Sequence, residues 1–254
     1  MPIVNAAKER LKAGKPVIGI SLTFASPALV ELCGYAGFHY VRIDCEHGPM
    51  DPTIAEHMVR AAEVAGITPV VRPPANQYHE ILRYLDTGIL GVLVPHIETR
   101  ADAEAAVRAA RFHPLGERGL AGIRWTRYGT AGPLSELVKE ANEAVFLLAL
   151  IESKKGVENL DEILAVEGID AVQIGPSDLS QSLGLTAQFN NPVVREHIDR
   201  VIDKALAAGK YVAFGARDAE SARKLLDRGV QIVEITGSQL FLDASRSLLK
   251  DLPL

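Results

Sequence analysis

The densest polar chemistry lies in RIDCEHGPMD, where Asp44, Glu46 and His47 fall within four positions behind an apolar run. His47 is the best candidate acid/base, because an imidazole titrates near working pH. Arg72 ends a second apolar run, in VVRPP. Its guanidinium could neutralise an enolate or polarise a ketone, or pair with Asp44 or Glu46, and both can hold at once. Glu152 ends a third run, and Asp178 follows a fourth in IGPSDLS. On neighbouring strands, ~4.8 Å apart, these two carboxylates can reach one cation. Oxygen-only ligation suits Mg²⁺ or Mn²⁺. Two protein ligands would leave room for the keto and carboxylate oxygens of a 2-oxo acid.

The turn Gly175-Pro176-Ser177-Asp178 adds a second feature. Amides of Ser177 and Asp178 would point out of a helix N-terminus, a natural seat for a substrate carboxylate. Ser177 or Asp178 could instead simply cap that helix. His47 needs an orienting partner, and Asp86 in ILRYLDTG is the candidate. An Asp–His pair raises the basicity of the ring. Asp86 lies near a helix C-terminus, where a negative charge is mildly unfavourable, so a surface residue there would more often be another type.

These residues need a scaffold that gathers strand ends. Eight short apolar runs supply it: 16–22, 40–44, 68–71, 91–95, 146–152, 171–175, 211–215 and 231–236. Such runs suit parallel strands buried on both faces. Helical stretches alternate with them. DPTIAEHMVRAAEVAG (51–66) has Asp51 as N-cap, Pro52 in the first turn and Gly66 at the close. Stretches 100–112 and 219–229 read as helices too, the second closing at Gly229. The pattern predicts an α/β protein, one (β/α)8 TIM barrel domain over 1–254, with its site at the C-terminal ends of the strands. No GxGxxG follows the first strand, which weakens a nucleotide-binding sheet. The 112–145 connection exceeds an ordinary loop, and reads as a lid, an oligomer contact or a decorated surface segment, with a helix at about 134–143.

Other residues read as structural. Arg42, Gln173 and Glu234 lie within strands and form a buried polar layer inside the barrel. His57, His79 and His96 read as helix or loop histidines without metal-ligand spacing. Lys210 precedes its strand, and Lys154 and Lys155 read as solvated, so a Schiff-base lysine is the lesser mechanism. Cys45 sits between two carboxylates, which raise a thiol pKa. Acidic residues number 32 against 27 basic ones, for a net charge of -5, which argues against a sequence-independent grip on nucleic acid. Two cysteines make no disulfide framework, and no apolar run is long enough to span a bilayer. With no apolar signal segment, the expected compartment is the cytoplasm.

DCEHGP (44–49), VRPP (71–74), YLDTGILGVLVP (84–95), RFHPLGERG (111–119), LIE (150–152) and IGPSDLS (174–180) together resemble the class II pyruvate aldolases of the HpcH/HpaI family. The resemblance covers nearly the whole chain, in order. It implies a barrel of the phosphoenolpyruvate/pyruvate-domain type. It implies a metal-dependent lyase that cleaves or forms 4-hydroxy-2-oxo acids through a pyruvate enolate and an aldehyde. His47 would be the base, Asp86 its partner and Arg72 the enolate stabiliser. Glu152 and Asp178 would be metal ligands, with Asp44 and Glu46 supporting. It also implies a homohexamer, a dimer of trimers, with sites near subunit contacts. The family's Gln two positions before the metal-binding Glu is Leu150 here, which removes a polar contact from the site. The same site could serve an oxaloacetate decarboxylase-type lyase, and a barrel that only binds a metabolite is a third reading.

Overall fold

Each of the eight apolar runs becomes a strand in the computed structural model, which describes residues 3–250 and 252. They are β1 (Val17–Leu22), β2 (Tyr40–Asp44), β3 (Thr68–Arg72), β4 (Gly91–Val94), β5 (Phe146–Ile151), β6 (Ala171–Ile174), β7 (Tyr211–Ala216) and β8 (Ile232–Thr236). All neighbours pair in parallel, and β8 returns to β1, closing a (β/α)8 barrel. The helices are α1 (Ala6–Lys12), α2 (Pro27–Tyr35), α3 (Pro52–Ala65), α4 (Tyr78–Asp86), α5 (Arg100–Ala110), α6 (Leu134–Ala144), α7 (Lys154–Glu158), α8 (Leu160–Leu164), α9 (Pro176–Ser182), α10 (Pro192–Ala207), α11 (Ala219–Asp227) and α12 (Gly237–Lys250). Asp51 caps α3 by accepting from the Ile54 amide, and Gly66 ends it at φ +71°, as its sequence signals predict. Among the described residues, no helix is long and apolar enough to cross a membrane.

Strand parity sorts side chains into two layers. Val41, Ile43, Val71, Leu147, Ala149 and Ile151 join the apolar layer between strands and helices. Tyr40, Val70, Phe146, Leu148 and Leu150 form a second cluster inside the barrel, joined by Ala7 and Leu11 of α1. Helix α1 therefore seals the N-terminal end. The inward parity of β2 continues from Tyr40 through Arg42 to Asp44, and that of β5 from Leu150 to Glu152. The barrel thus changes from apolar to charged toward its C-terminal rim. Arg42 donates twice to Glu234, at 2.8 Å each, and Gln173 reaches Glu234 at 3.4 Å. This is the buried polar layer expected from the sequence.

The long connection spans residues 111–133, between α5 and α6, with one 3-10 turn at Arg124–Thr126. It builds a separate small core of Phe112, Trp125, Leu137 and Ala141. Arg118 is buried there, its guanidinium 4.7 Å from the Phe112 ring and 5.0 Å from the Trp125 ring. The segment leaves α5 and returns before β5, so within one chain it lies at the N-terminal end of the barrel. The reading of this segment as a lid over its own site is corrected accordingly.

Gly19 faces the barrel interior because Tyr40 fills the space beside it. A Cβ at Gly19 would stand 2.1 Å from Tyr40 Cε1. Gly19→Ala is expected to destabilise the protein by about 1–3 kcal/mol through overpacking. Urea unfolding checks this, and the loss should shrink in a Tyr40→Leu background, because the two residues share one space.

Candidate active site

Most of the charged residues singled out in the sequence lie at the C-terminal rim. β2 delivers Asp44 as its last residue, and Glu46 and His47 follow in the loop. β3 ends on Arg72, in register with Asp44. Glu152 follows β5, and Asp178 lies in the first turn of α9, just beyond β6.

Arg72 is held on both sides. Its Nε donates to Asp44 Oδ1 at 3.0 Å, its Nη2 donates to Asp44 Oδ2, and its Nη1 stands 3.1 Å from Glu46 Oε2. Arg42 Nη1 adds a contact to Asp44 Oδ2 at 3.1 Å. Burial alone would raise the Asp44 carboxyl, but the Arg72 and Arg42 guanidiniums hold it below the ordinary carboxylate value. The ion pairing considered for Arg72 from sequence is therefore present with both carboxylates. It fixes the guanidinium without using up its position at the rim.

Glu152 is 4% exposed and sits among like charges. Burial pushes its carboxyl above the ordinary value, Glu46 and Asp178 add to that, and His96 opposes it. Gly175 makes the approach possible: a Cβ there would lie 2.7 Å from Glu152 Cβ and 2.9 Å from Oε2. The expected cap of the following helix needs correction. Pro176 occupies its first turn and Gly175 is the N-cap, so neither Ser177 nor Asp178 caps α9. The first backbone bond of α9 runs from the Leu179 amide to Gly175 O, at 3.0 Å. The Ser177 and Asp178 amides precede it and remain outside the helical ladder.

His96 is the residue that sequence reasoning passed over. It follows β4 by two positions and adopts φ +54°, a left-handed conformation that costs an L-residue about 1–2 kcal/mol. Its amide donates to Glu152 Oε1 at 2.9 Å. Its Nδ1 stands 3.2 Å from the same oxygen, and its Nε2 stands 3.3 Å from Glu46 Oε1. The signal that could have found it is position: it lies at the same rim as every other candidate. It is a loop histidine, as the sequence suggests, and its ring meets two rim carboxylates.

His47 is 60% exposed on its side chain and stands 4.0 Å from Glu46 Oε2. Asp86 is not beside it. Asp86 ends α4 ahead of β4, at the other end of the barrel, and pairs with Arg118 at 3.5 Å. Burial raises the Asp86 carboxyl, and Arg118 pulls it back.

The other nucleophiles lie away from this chemistry. Burial pushes the Cys45 thiol up to about 12, which keeps it a structural thiol. Lys154 and Lys155 are exposed, Lys210 donates to Ile169 O, and Lys8 pairs with Asp170 at 3.0 Å.

The donor set at the rim suits a hard divalent cation. Glu152 follows β5 and Asp178 lies in α9 just beyond the neighbouring β6, and Glu152 Oε2 lies over Gly175, which opens the turn that carries Asp178. Among the described residues, no group of three or more His, Cys, Asp or Glu side chains forms a metal cage. Two protein oxygens fit an ion whose remaining positions go to substrate and water.

Residues 18–242 match the HpcH/HpaI aldolase/citrate lyase family. A hydroxypyruvate/pyruvate aldolase of Deinococcus radiodurans is 38% identical over 248 residues, covering 97% of this chain and 89% of that protein. A 2-keto-3-deoxy-L-rhamnonate aldolase of Salmonella paratyphi B is 36% identical over 246 residues, covering 96% and 92%. The crystal structure of a HpcH/HpaI aldolase/citrate lyase family protein from Burkholderia cenocepacia superposes with a TM-score of 0.92 at 32% identity, covering 98% and 99% of the two chains. Sequence, barrel and relatives agree, and this chain belongs to the HpcH/HpaI aldolase/citrate lyase family as an aldolase-type enzyme.

Proposed function

We propose that the chain is a class II pyruvate aldolase, a single barrel domain that cleaves and forms 4-hydroxy-2-oxo acids. The observation that carries this reading is the rim itself. A buried guanidinium, Arg72, faces the same opening as two carboxylates suited to a divalent cation, and Glu46 and His96 link the two sides.

Glu152 and Asp178 would hold Mg²⁺, Mn²⁺ or Co²⁺, which when bound acts as a Lewis acid toward a 2-oxo acid and helps carry enolate charge. The amides of Ser177 and Asp178, on the turn opened by Gly175 and Pro176, would receive the substrate carboxylate. Arg72, already fixed by Asp44 and Glu46, needs no reorganisation to stabilise developing negative charge on the enolate oxygen. In the cleavage direction, His47 would assist removal of the 4-hydroxyl proton. The C3–C4 bond then breaks, releasing an aldehyde, and the pyruvate enolate is protonated at C3. The names of the relatives, hydroxypyruvate/pyruvate aldolase and 2-keto-3-deoxy-L-rhamnonate aldolase, support including hydroxypyruvate, pyruvate and 2-keto-3-deoxy-L-rhamnonate in the substrates to be assayed.

His47 and Asp86 lie at opposite ends of one barrel. The Asp–His pair implied by the family would therefore form between copies of the chain, in the hexamer, a dimer of trimers, that the resemblance implies. Such an arrangement would also give a use to the exposed imidazole.

Three outcomes check this function. EDTA should abolish retro-aldol cleavage and added Mn²⁺ restore it, while borohydride with pyruvate traps no lysine adduct; activity surviving chelation alongside a trapped lysine would sink the mechanism. Arg72→Lys keeps the charge but loses the fork, and should lower kcat by about 100-fold in steady-state assays. Mixing dissociated His47→Ala and Asp86→Asn subunits should regenerate activity that neither variant has alone. No recovery would place the Asp–His pairing outside the catalytic unit.

A further inference from the structure

The left-handed backbone at His96 spends conformational energy at a point where β4 has already ended. Its effect is to turn the residue back over β5. The His96 amide and Nδ1 both converge on Glu152 Oε1, at 2.9 and 3.2 Å. The next amide, Ile97, donates to Leu150 O at 3.3 Å and pins the loop to β5. Glu152 Oε2 is oriented differently. It lies over Gly175, the residue that opens α9, where even a methyl group would stand 2.9 Å from it.

We propose that His96 is the positioning residue of the metal-side carboxylate: it fixes Glu152 Oε1 and so leaves Oε2 directed at the turn carrying Asp178. This rests on the reading that Glu152 and Asp178 take a divalent cation. Leu150, the inward neighbour of Glu152 on β5, is buried and has no polar atom to offer. Among the described residues, no side chain other than that of His96 makes a polar contact of hydrogen-bond length with Glu152. The far ring nitrogen, 3.3 Å from Glu46 Oε1, extends the hold to the carboxylate that carries Arg72. One ring thereby sets the spacing between the cation side and the guanidinium side of the opening. The ring is 66% exposed, so its removal opens no core cavity. Its contribution is orientation, and partners of this kind are worth about 10–100-fold in metal affinity.

The test is Mn²⁺ binding to the intact protein without substrate, read by electron paramagnetic resonance of the free ion. His96→Gly keeps the amide and relieves the left-handed backbone, so it isolates the ring. It should weaken Mn²⁺ binding about 10-fold or more, with a melting temperature unchanged within about 2 °C. His96→Asn tolerates the left-handed conformation and places an amide nitrogen near the Nδ1 position, so it should recover most of the affinity. Two controls, Glu152→Gln and Asp178→Asn, report on the cation site itself. If they lose Mn²⁺ while His96→Gly binds as tightly as the parent, or more tightly, the positioning role is overturned and the cation site stands. If Glu152→Gln and Asp178→Asn bind like the parent, the cation reading fails and this inference fails with it. Loss in the Gly and Asn variants alike, with a falling melting temperature, marks general loosening and also overturns the role.

Discussion

The Arg42 guanidinium sits inside the barrel between Glu234 and Asp44, and this buried pairing sets the position of everything above it. Glu234 takes two of its donors and Asp44 a third. Asp44 in turn holds Arg72, and Arg72 reaches Glu46. Formal charges therefore alternate from mid-barrel to the rim. Each ion loses hydration on entering the barrel, and only close opposite partners offset that loss. The arrangement is consequently rigid: shifting any member would strand its neighbours unpaired in an apolar surrounding. Under the proposed aldol chemistry, that rigidity would serve a short-lived carbanion. A guanidinium already in place costs nothing to reorganise when negative charge develops.

The alternation also ends in imbalance. At the rim, Glu46 pairs with the buried Arg72, while burial raises the Glu152 carboxyl and the neighbouring Glu46 and Asp178 add to that rise. An excess of carboxylate oxygens beside a bound guanidinium favours a small divalent cation over another basic side chain. The chain's apolar lower barrel contributes to this. Its Phe146, Leu148 and Leu150 layer and the α1 plug keep water from reaching the charges from below, so the electrostatics act across a low-dielectric floor.

Much of this was legible from residue order alone. Short apolar runs flanked by helical stretches give the eight strands, and in such a barrel polar residues just past strand ends must share one rim. Asp44, Glu46, Arg72, Glu152 and Asp178 were found by that rule. His96 obeys the same rule but was missed, because its role comes from a positive φ, which leaves no trace in hydrophobic spacing. The cap of α9 was offered as Ser177 or Asp178, although Pro176 prefers the first helical turn, which makes Gly175 the N-cap and moves both residues inside. Asp86 is different in kind. Its neighbours in sequence say only that it ends a helix, and the fold then carries it to the end of the barrel away from His47.

Glu152 shows how backbone exceptions, rather than further charges, give the site its direction. A carboxylate has two oxygens of equal chemistry, and a strand end alone does not distinguish them. Here a left-handed histidine approaches one oxygen from β4, and a residue lacking a side chain admits the other at β6. Both exceptions are unfavourable or permissive in isolation, and neither helps the barrel to close. Their common target is a single carboxyl group. The strain at His96 is tolerated because the surrounding strands over-determine the loop, with Ile97 hydrogen-bonded to β5 immediately beyond it. A barrel stable enough to absorb that strain can therefore orient an acid without spending a second charged partner on it. The acid's outward oxygen stays free for whatever cation and substrate the rim admits.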